Sequence, residues 1–68
     1  MAQENKISKN IKTLRQAKGL SQDHLSKVAD VSYNSIIKLE TGGITNPTIE
    51  TLQKIAKALE VQVDDLIK

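Results

Sequence analysis

The first apolar positions of the chain recur at the spacing of one helix face. Ile7, Ile11 and Leu14 are separated by four and three residues, with lysine and asparagine among the residues between them. This spacing predicts an amphipathic helix over about residues 5–18. Gly19 follows directly, and glycine is common just past a helix end.

Two shorter helical patterns follow, each preceded by a serine. Ser21 precedes the second predicted helix, which ends near Ala29, and Ser32 precedes the third, which ends near Thr41. A serine hydroxyl can accept a hydrogen bond from a backbone N–H two or three residues on, so both serines are predicted N-caps. Between them, Asp30 occupies a turn position where we expect a left-handed backbone. Helices so close in sequence must cross steeply, as in a helix-turn-helix. The apolar side of the second helix is assigned to Leu25, Val28 and Ala29.

The remaining sequence predicts two more helices and completes an all-α, five-helix bundle. Residues 42–43 are both glycine and end the third helix, and Thr48, after Pro47, is the predicted cap of the fourth. A short fifth helix closes the core, and Gln62 at its start is a poor cap residue. The inner stripe of the fourth helix is Leu52, Ile55, Ala56 and Leu59, and the fifth helix is indicated by Val63, Leu66 and Ile67. We expect one domain over residues 1–68, with its core at about residues 7–67.

Composition limits how this chain is stabilised and where it acts. Cysteine is absent and Tyr33 is the only aromatic residue, so an aliphatic core must stabilise a domain near the lower size limit for independent folding. No apolar run approaches the roughly 18 residues of a membrane span, and residues 1–4 lack a signal-peptide apolar segment. These features predict a soluble, cytoplasmic protein with no membrane partner.

The charges of the chain are unevenly placed. Residues 1–38 carry seven bases and three acids, whereas residues 39–68 carry three bases and five acids. A polyanion would therefore meet the N-terminal half, although lysine-rich helices are more often simply solvated.

The third predicted helix has one outward arc of varied side chains. With Ile36 facing the core, Leu39 and Glu40 fall beside it. The outward arc consists of Tyr33, Asn34, Ile37, Lys38 and Thr41. Asparagine can bond bidentately with adenine, lysine can donate to guanine, and isoleucine can contact thymine methyls, so this arc predicts base reading in duplex DNA. The alternative is that Ile37 is a second core position and the others are ordinary surface.

Three stretches combine caps, turn residues and core positions at fixed spacing. They are Leu14-Arg15-x-x-Lys18-Gly19-Leu20-Ser21-Gln22-x-x-Leu25, Val31-Ser32-x-x-Ser35-Ile36-x-x-Leu39-Glu40-x-Gly42 and Asn46-Pro47-Thr48-x-x-Thr51-Leu52-x-x-Ile55-Ala56-x-Ala58-Leu59. Together they resemble the Cro/repressor (XRE-type) helix-turn-helix family over about residues 7–67. The resemblance implies a lambda-repressor-like fold, with the helix-turn-helix formed by helices 2 and 3. It also implies a prokaryotic or phage-like transcription regulator associated with the nucleoid.

The resemblance implies roles for individual residues. Arg15 and Glu40 would form the structural ion pair of the family, and Gln22 would bind a phosphate and help to orient helix 3. The base-reading positions hold Tyr33, Asn34, Ile37 and Lys38. Contacts with the DNA backbone are expected from Lys12, Gln22, Ser32, Thr41, Thr45 and Asn46. Two departures are Asp30, where the family usually has glycine, and residues 43–45, which lack the basic residues that some relatives carry.

A single reading helix covers only about four or five base pairs, so we expect a repressor that acts as a homodimer on a palindromic operator. Helix 5 and the loop before helix 4 are the expected dimer surface, with Ile44, Ile49 and Ile67 partly exposed. Alternatively, these isoleucines complete the core. The other function considered is an antitoxin or adaptor of the same fold, whose main partner is another protein such as a toxin.

Other chemistries have little support. His24 is the only histidine, with no cysteine in the chain to join it as a metal ligand. The adjacent acids Asp64 and Asp65 lie in a first helical turn, where acids suit the helix dipole. No catalytic triad, glycine-rich phosphate loop or metal-ligand spacing occurs, so we expect neither an enzyme nor a cofactor.

Overall fold

The computed structural model describes residues 6–68, in which the chain forms five α-helices and no β-strand. The helices are α1 (Lys6–Ala17), α2 (Gln22–Ala29), α3 (Tyr33–Thr41), α4 (Ile49–Leu59) and α5 (Val63–Ile67). The predicted all-α, five-helix fold is confirmed. The predicted start of the first helix at residue 5 lies outside the described residues.

The N-caps predicted for α2, α3 and α4 are confirmed. Each cap residue is extended, and its hydroxyl accepts a hydrogen bond at 3.0 or 3.1 Å from the backbone N–H three residues further on. These caps are Ser21, Ser32 and Thr48. At the start of α5, the Asp65 carboxylate accepts from the backbone N–H of Gln62 at 3.0 Å. An acid in the first turn therefore satisfies the donor that precedes this helix.

Left-handed residues end four of the helices, and the first of them is Gly19, with φ 71° just after α1. Asp30 has φ 57° and ψ 45° at the end of α2, as predicted for the turn, and Gly42 has φ 85° at the end of α3. Glu60, which the sequence did not single out, has φ 59° at the end of α4. This conformation lets the backbone N–H groups of Asp30 and Glu60 bond to carbonyls of the preceding turn.

One aliphatic core lies between the helices. Its buried members are Ile11, Leu25, Ala29, Ile36, Leu39, Leu52, Ile55, Ala56, Leu59 and Leu66. The prediction that Val28 faces this core is wrong, because its side chain is 52% exposed. Ser26 is buried instead, and its hydroxyl donates to the Asp23 carbonyl at 2.6 Å. The buried arc of α2 therefore extends from Leu25 and Ala29 towards Ser26 and away from Val28.

The polar side chains of Ser8 and Asn10 are among those that connect α1 to other helices. The buried Ser8 hydroxyl donates to the Leu39 carbonyl of α3 at 2.5 Å. Asn10 donates through Nδ2 to the carbonyls of Leu66 and Lys68, at 3.0 and 3.3 Å, at the end of α5. Helix α1 thus contacts the inner side of α3, and the opposite side of α3 is open to solvent.

Candidate nucleic-acid interface

The outward arc predicted on α3 lies at the surface. Tyr33 is 48% exposed, and Asn34, Lys38 and Thr41 are exposed as well, while Ile37 is half-buried. Ile37 therefore contributes to both packing and surface, which places it between the two alternatives considered from the sequence. On the inner side of the helix, the buried residues are Ile36, Leu39 and Glu40.

The turn before α3 determines how this face is presented. Asp30 adopts the left-handed conformation, and the N–H of Val31 bonds to the Ser26 carbonyl at 3.0 Å. The chain therefore leaves α2 abruptly and enters α3 through the capped Ser32. Contacts of α3 with both α1 and α2 cover its inner side, and the outward arc stays exposed.

A charged cluster connects α1 to α3 behind the exposed arc. Arg15 Nε lies 2.6 Å from Glu40 Oε2, and Arg15 Nη2 lies 3.0 Å from Glu40 Oε1. The third donor, Nη1, bonds to the Leu20 carbonyl at 2.7 Å. The side chains of Arg15 and Glu40 are 11% and 2% exposed, so the predicted ion pair is present and shielded from solvent.

Gln22 also belongs to this cluster, which the sequence did not indicate. Its Nε2 donates to Glu40 Oε1 at 3.1 Å, and its side chain is half-buried at the start of α2. A signal for this contact was available, because a buried carboxylate has more lone pairs than one arginine can satisfy. A third donor near Glu40 was therefore to be expected, and Gln22 supplies it.

The other residues assigned to the DNA backbone lie at exposed positions on three elements. They are Lys12 on α1, Ser32 before α3, Thr41 at its end, and Thr45 and Asn46 in the loop that follows. The Ser32 hydroxyl donates to Ser35 Oγ at 2.7 Å, and the Thr41 hydroxyl donates to the Ile37 carbonyl at 2.8 Å. Both hydroxyl protons must leave these acceptors before they can bind a phosphate oxygen.

Two further ion pairs lie on the helix surfaces. On α2, Lys27 Nζ lies 3.3 Å from Oδ2 of Asp23, one helical turn earlier. Lys18, just after α1, pairs with Glu60 at the end of α4. The hydrogen bond and positive charge of Lys18 lower the pKa of the Glu60 carboxyl below its ordinary value.

A hollow of about 190 Å³ lies between α3, the loop and the start of α4, and its lining contains neither an acid nor a histidine. No group of three or more potential metal-binding side chains occurs within residues 6–68. Over the same residues, none of the helices is both long and apolar enough to cross a membrane.

A helix-turn-helix family model matches residues 11–66, which include all five helices from the second turn of α1 to α5. This chain belongs to the XRE-type helix-turn-helix family.

The chain is 35% identical over 60 residues to the HTH-type transcriptional regulator SlrR of Bacillus subtilis, covering 88% of this chain and 40% of SlrR. It is 35% identical over 63 residues to the regulator DdrOP3 of Deinococcus deserti, covering 93% of this chain and 48% of DdrOP3. The regulator SinR of Bacillus subtilis is 34% identical over 61 residues, with 90% of this chain and 55% of SinR covered. The chain thus spans about half the length of these relatives.

Solved structures share the fold. The restriction-modification controller protein C.AhdI from Aeromonas hydrophila superposes with a TM-score of 0.86 at 29% identity, over 91% of this chain and 92% of that one. SinR, the master regulator for biofilm formation, in its complex with DNA also has a TM-score of 0.86, at 35% identity over 88% of this chain and 95% of that one. The predicted lambda-repressor-like fold is confirmed by this likeness. The family consists of DNA-binding regulators rather than enzymes, in agreement with the sequence-based expectation.

Proposed function

We propose that this chain is a sequence-specific, double-stranded DNA-binding domain of a transcription regulator, formed by residues 1–68 and acting at the nucleoid. The observation that carries the proposal is the exposed face of α3. This helix follows a left-handed turn at Asp30 and is capped by Ser32. A helix held in this way can enter the major groove of B-DNA, which is wide enough to admit it. SinR has the same fold in a structure with DNA, which supports the proposal.

Base reading is assigned to the side chains of this face. Asn34 can bond bidentately to adenine, and Lys38 can donate to the acceptor edge of guanine. The ring of Tyr33 and the half-buried Ile37 supply apolar contacts, with thymine methyls as their natural partners. None of these side chains has a carboxylate, and the buried Glu40 is paired with Arg15, so the face carries no uncompensated acid towards DNA.

Contacts with phosphates position the reading helix and are assigned to residues on either side of it. Lys12 contributes a positive charge, and Gln22 contributes an amide N–H at the start of α2. Ser32 and Thr41 flank α3, and their hydroxyls turn from their present acceptors to the phosphates. The exposed loop residues Thr45 and Asn46 complete the set. These contacts carry no sequence information but set the register of α3 on the duplex.

The regulator acts as a homodimer on a palindromic operator and represses transcription there. Two copies double the bases read, and protein two-fold symmetry is mirrored in the site. Ile49 and Ile67 support this proposal, since 65% and 47% of these apolar residues are exposed and Ile44 is half-buried. The same surface suits a second candidate, an antitoxin-like or controller role in which a different protein covers these isoleucines.

Selection of bound DNA from a random duplex pool, followed by sequencing, tests the proposed function. We expect an enriched motif with two related half-sites about one helical turn apart. Recovery of a protein–duplex complex without any enriched motif would contradict sequence-specific reading. An enriched but non-palindromic motif, bound by one copy of the chain, would contradict the homodimer and favour the second candidate for the exposed isoleucines.

A further inference from the structure

We infer that Glu40 is a positioning residue that directs the carboxamide of Gln22 towards a DNA phosphate. The inference rests on the proposed function and deepens it. Glu40 itself is buried, so it acts on DNA only through its neighbour. Orienting Gln22 is a different role from pairing with Arg15. The orienting role nevertheless depends on the ion pair, which neutralises the carboxylate.

The geometry of the amide carries the first step. One N–H of Gln22 Nε2 is directed at Glu40 Oε1, 3.1 Å away. A carboxamide is planar and has two N–H donors, so holding one at Glu40 while the side chain is anchored on α2 restricts the directions open to the other. Gln22 is the first residue of α2, where the backbone N–H groups of residues 22 and 23 have no acceptors within the helix, while that of His24 already bonds to the Ser21 hydroxyl. The second amide N–H can therefore join these donors at a single phosphate.

Charge neutralisation carries the second step. A bare carboxylate 3.1 Å from a phosphate-binding amide would repel the phosphate. Arg15 removes this repulsion by donating to both oxygens of Glu40, and its remaining bond to the Leu20 carbonyl holds the guanidinium in place. Glu40 consequently offers Gln22 a strong acceptor while the ion pair has no net charge.

Preorganisation gives this arrangement its effect on affinity. A glutamine side chain that is free in solution loses rotamer freedom when it binds a phosphate, and this loss weakens association. Here the half-buried Gln22 is already fixed by Glu40 when the protein folds. Removing the acceptor should therefore weaken binding to every duplex, because phosphates are the same in all sequences.

Replacement of the ion pair by apolar residues tests the inference without stranding a buried charge. The variant Arg15→Met/Glu40→Leu keeps the net charge, and such replacements of buried pairs are often tolerated by the fold. It is compared with Gln22→Ala and with the triple variant, by affinity for the selected duplex and for an unrelated duplex of equal length. The matched control is Lys18→Gln/Glu60→Gln, which removes an ion pair outside the proposed interface and also keeps the net charge.

We expect Gln22→Ala and the pair replacement each to weaken both duplexes by about tenfold or more, with the triple variant no weaker than either by more than about twofold. The slope of log affinity against log salt should stay the same, since Gln22 is uncharged. A slope lowered by about one would instead show that Arg15 itself binds a phosphate, and would overturn the inference. Losses that multiply in the triple variant would overturn it too.

Two further measurements keep the test independent of folding and of DNA binding. If the pair replacement does not fold, Glu40→Asp withdraws the carboxylate by one methylene, keeps the charge and should show the same coupling to Gln22→Ala. In protein without DNA, the side-chain amide protons of Gln22 should have NMR shifts displaced from those of a free glutamine amide, and the shifts should return towards the free values in the variant. Unchanged Gln22 shifts would overturn the inference alone. A parent protein that binds no duplex would overturn the proposed function and the inference with it.

Discussion

The guanidinium of Arg15 meets the carboxylate of Glu40 through two hydrogen bonds, at 2.6 Å to Oε2 and 3.0 Å to Oε1. Both side chains are largely shielded from water, and the carboxylate also accepts from Gln22. The pair therefore connects α1, the start of α2 and the end of α3 at one point.

Removing one member of this pair should destabilise the domain strongly. Glu40→Ala leaves the Arg15 guanidinium buried without its partner, and such a change costs about 3–5 kcal/mol. Since a small domain has a total stability of about 5 kcal/mol or somewhat more, we expect the melting temperature to fall by at least about 10 °C. Lys18→Gln at the exposed pair is the control, with an expected shift of no more than a few degrees. A Glu40→Ala protein that melts within about two degrees of the parent would refute this prediction.

Base reading by α3 predicts a specific defect for Asn34→Ala. Loss of a bidentate contact with a base should weaken binding to the selected duplex by about 1–3 kcal/mol and relax the preference at one base position. Lys38→Ala should act in the same way at a different position. The measurement is a repeated selection with each variant, and Gln53→Ala on the exposed side of α4 is the control. An unchanged motif and affinity for Asn34→Ala would show that the assigned reading face is wrong.

Lys12 should contribute through charge rather than through sequence. Lys12→Ala is expected to weaken binding to the selected and unrelated duplexes by the same factor, and to lower the salt slope by about one. Fluorescence anisotropy titrations over a range of salt concentrations measure both quantities. Lys57→Ala, which removes an exposed lysine from the last turn of α4, should leave the slope unchanged. Equal slopes for the parent and Lys12→Ala would exclude a phosphate contact by this residue.

The left-handed conformation of Asp30 predicts an order of stability among its variants. At φ 57°, glycine is unstrained whereas alanine is strained, so Asp30→Gly should be more stable than Asp30→Ala by about 1 kcal/mol. At Lys27, inside α2, the order should reverse, because alanine stabilises a helix interior by about 1 kcal/mol relative to glycine. Urea denaturation of the four variants measures both differences. The same order at both positions would contradict the role assigned to the turn.

Self-association should depend on the exposed isoleucines. If the proposed dimer forms on the selected duplex, Ile67→Ser is expected to convert it to a weaker or one-to-one complex, because the substitution removes apolar contact area without adding charge. Val28→Ser is a matched control, since Val28 is similarly exposed, at 52% against 47% for Ile67. Sedimentation at micromolar concentration, with and without the duplex, distinguishes the two variants. Equal effects of both substitutions would remove Ile67 from the dimer surface.

The helices of this protein could be predicted from the sequence because their determinants are local. The caps Ser21, Ser32 and Thr48 bond to backbone groups only three residues away, and Asp30 closes a turn within its own segment. The burial of Glu40 also followed from its position on a helical wheel beside Ile36. These features depend on the spacing of residue types along the chain, which is visible in the sequence.

Contacts between distant segments depended on the tertiary structure. Whether Val28 or Ser26 is buried depends on the rotation of α2 about its axis, which is set by packing against α3 and α4. Gln22 reaches Glu40, and Asn10 reaches the end of α5, only because the helices cross at particular angles. Periodicity specifies which face of a helix is apolar, but not which partner lies opposite each polar side chain at its edge. The helix-turn-helix could therefore be predicted from the sequence. The contact between Gln22 and its acceptor Glu40 depends instead on the packing of α1, α2 and α3.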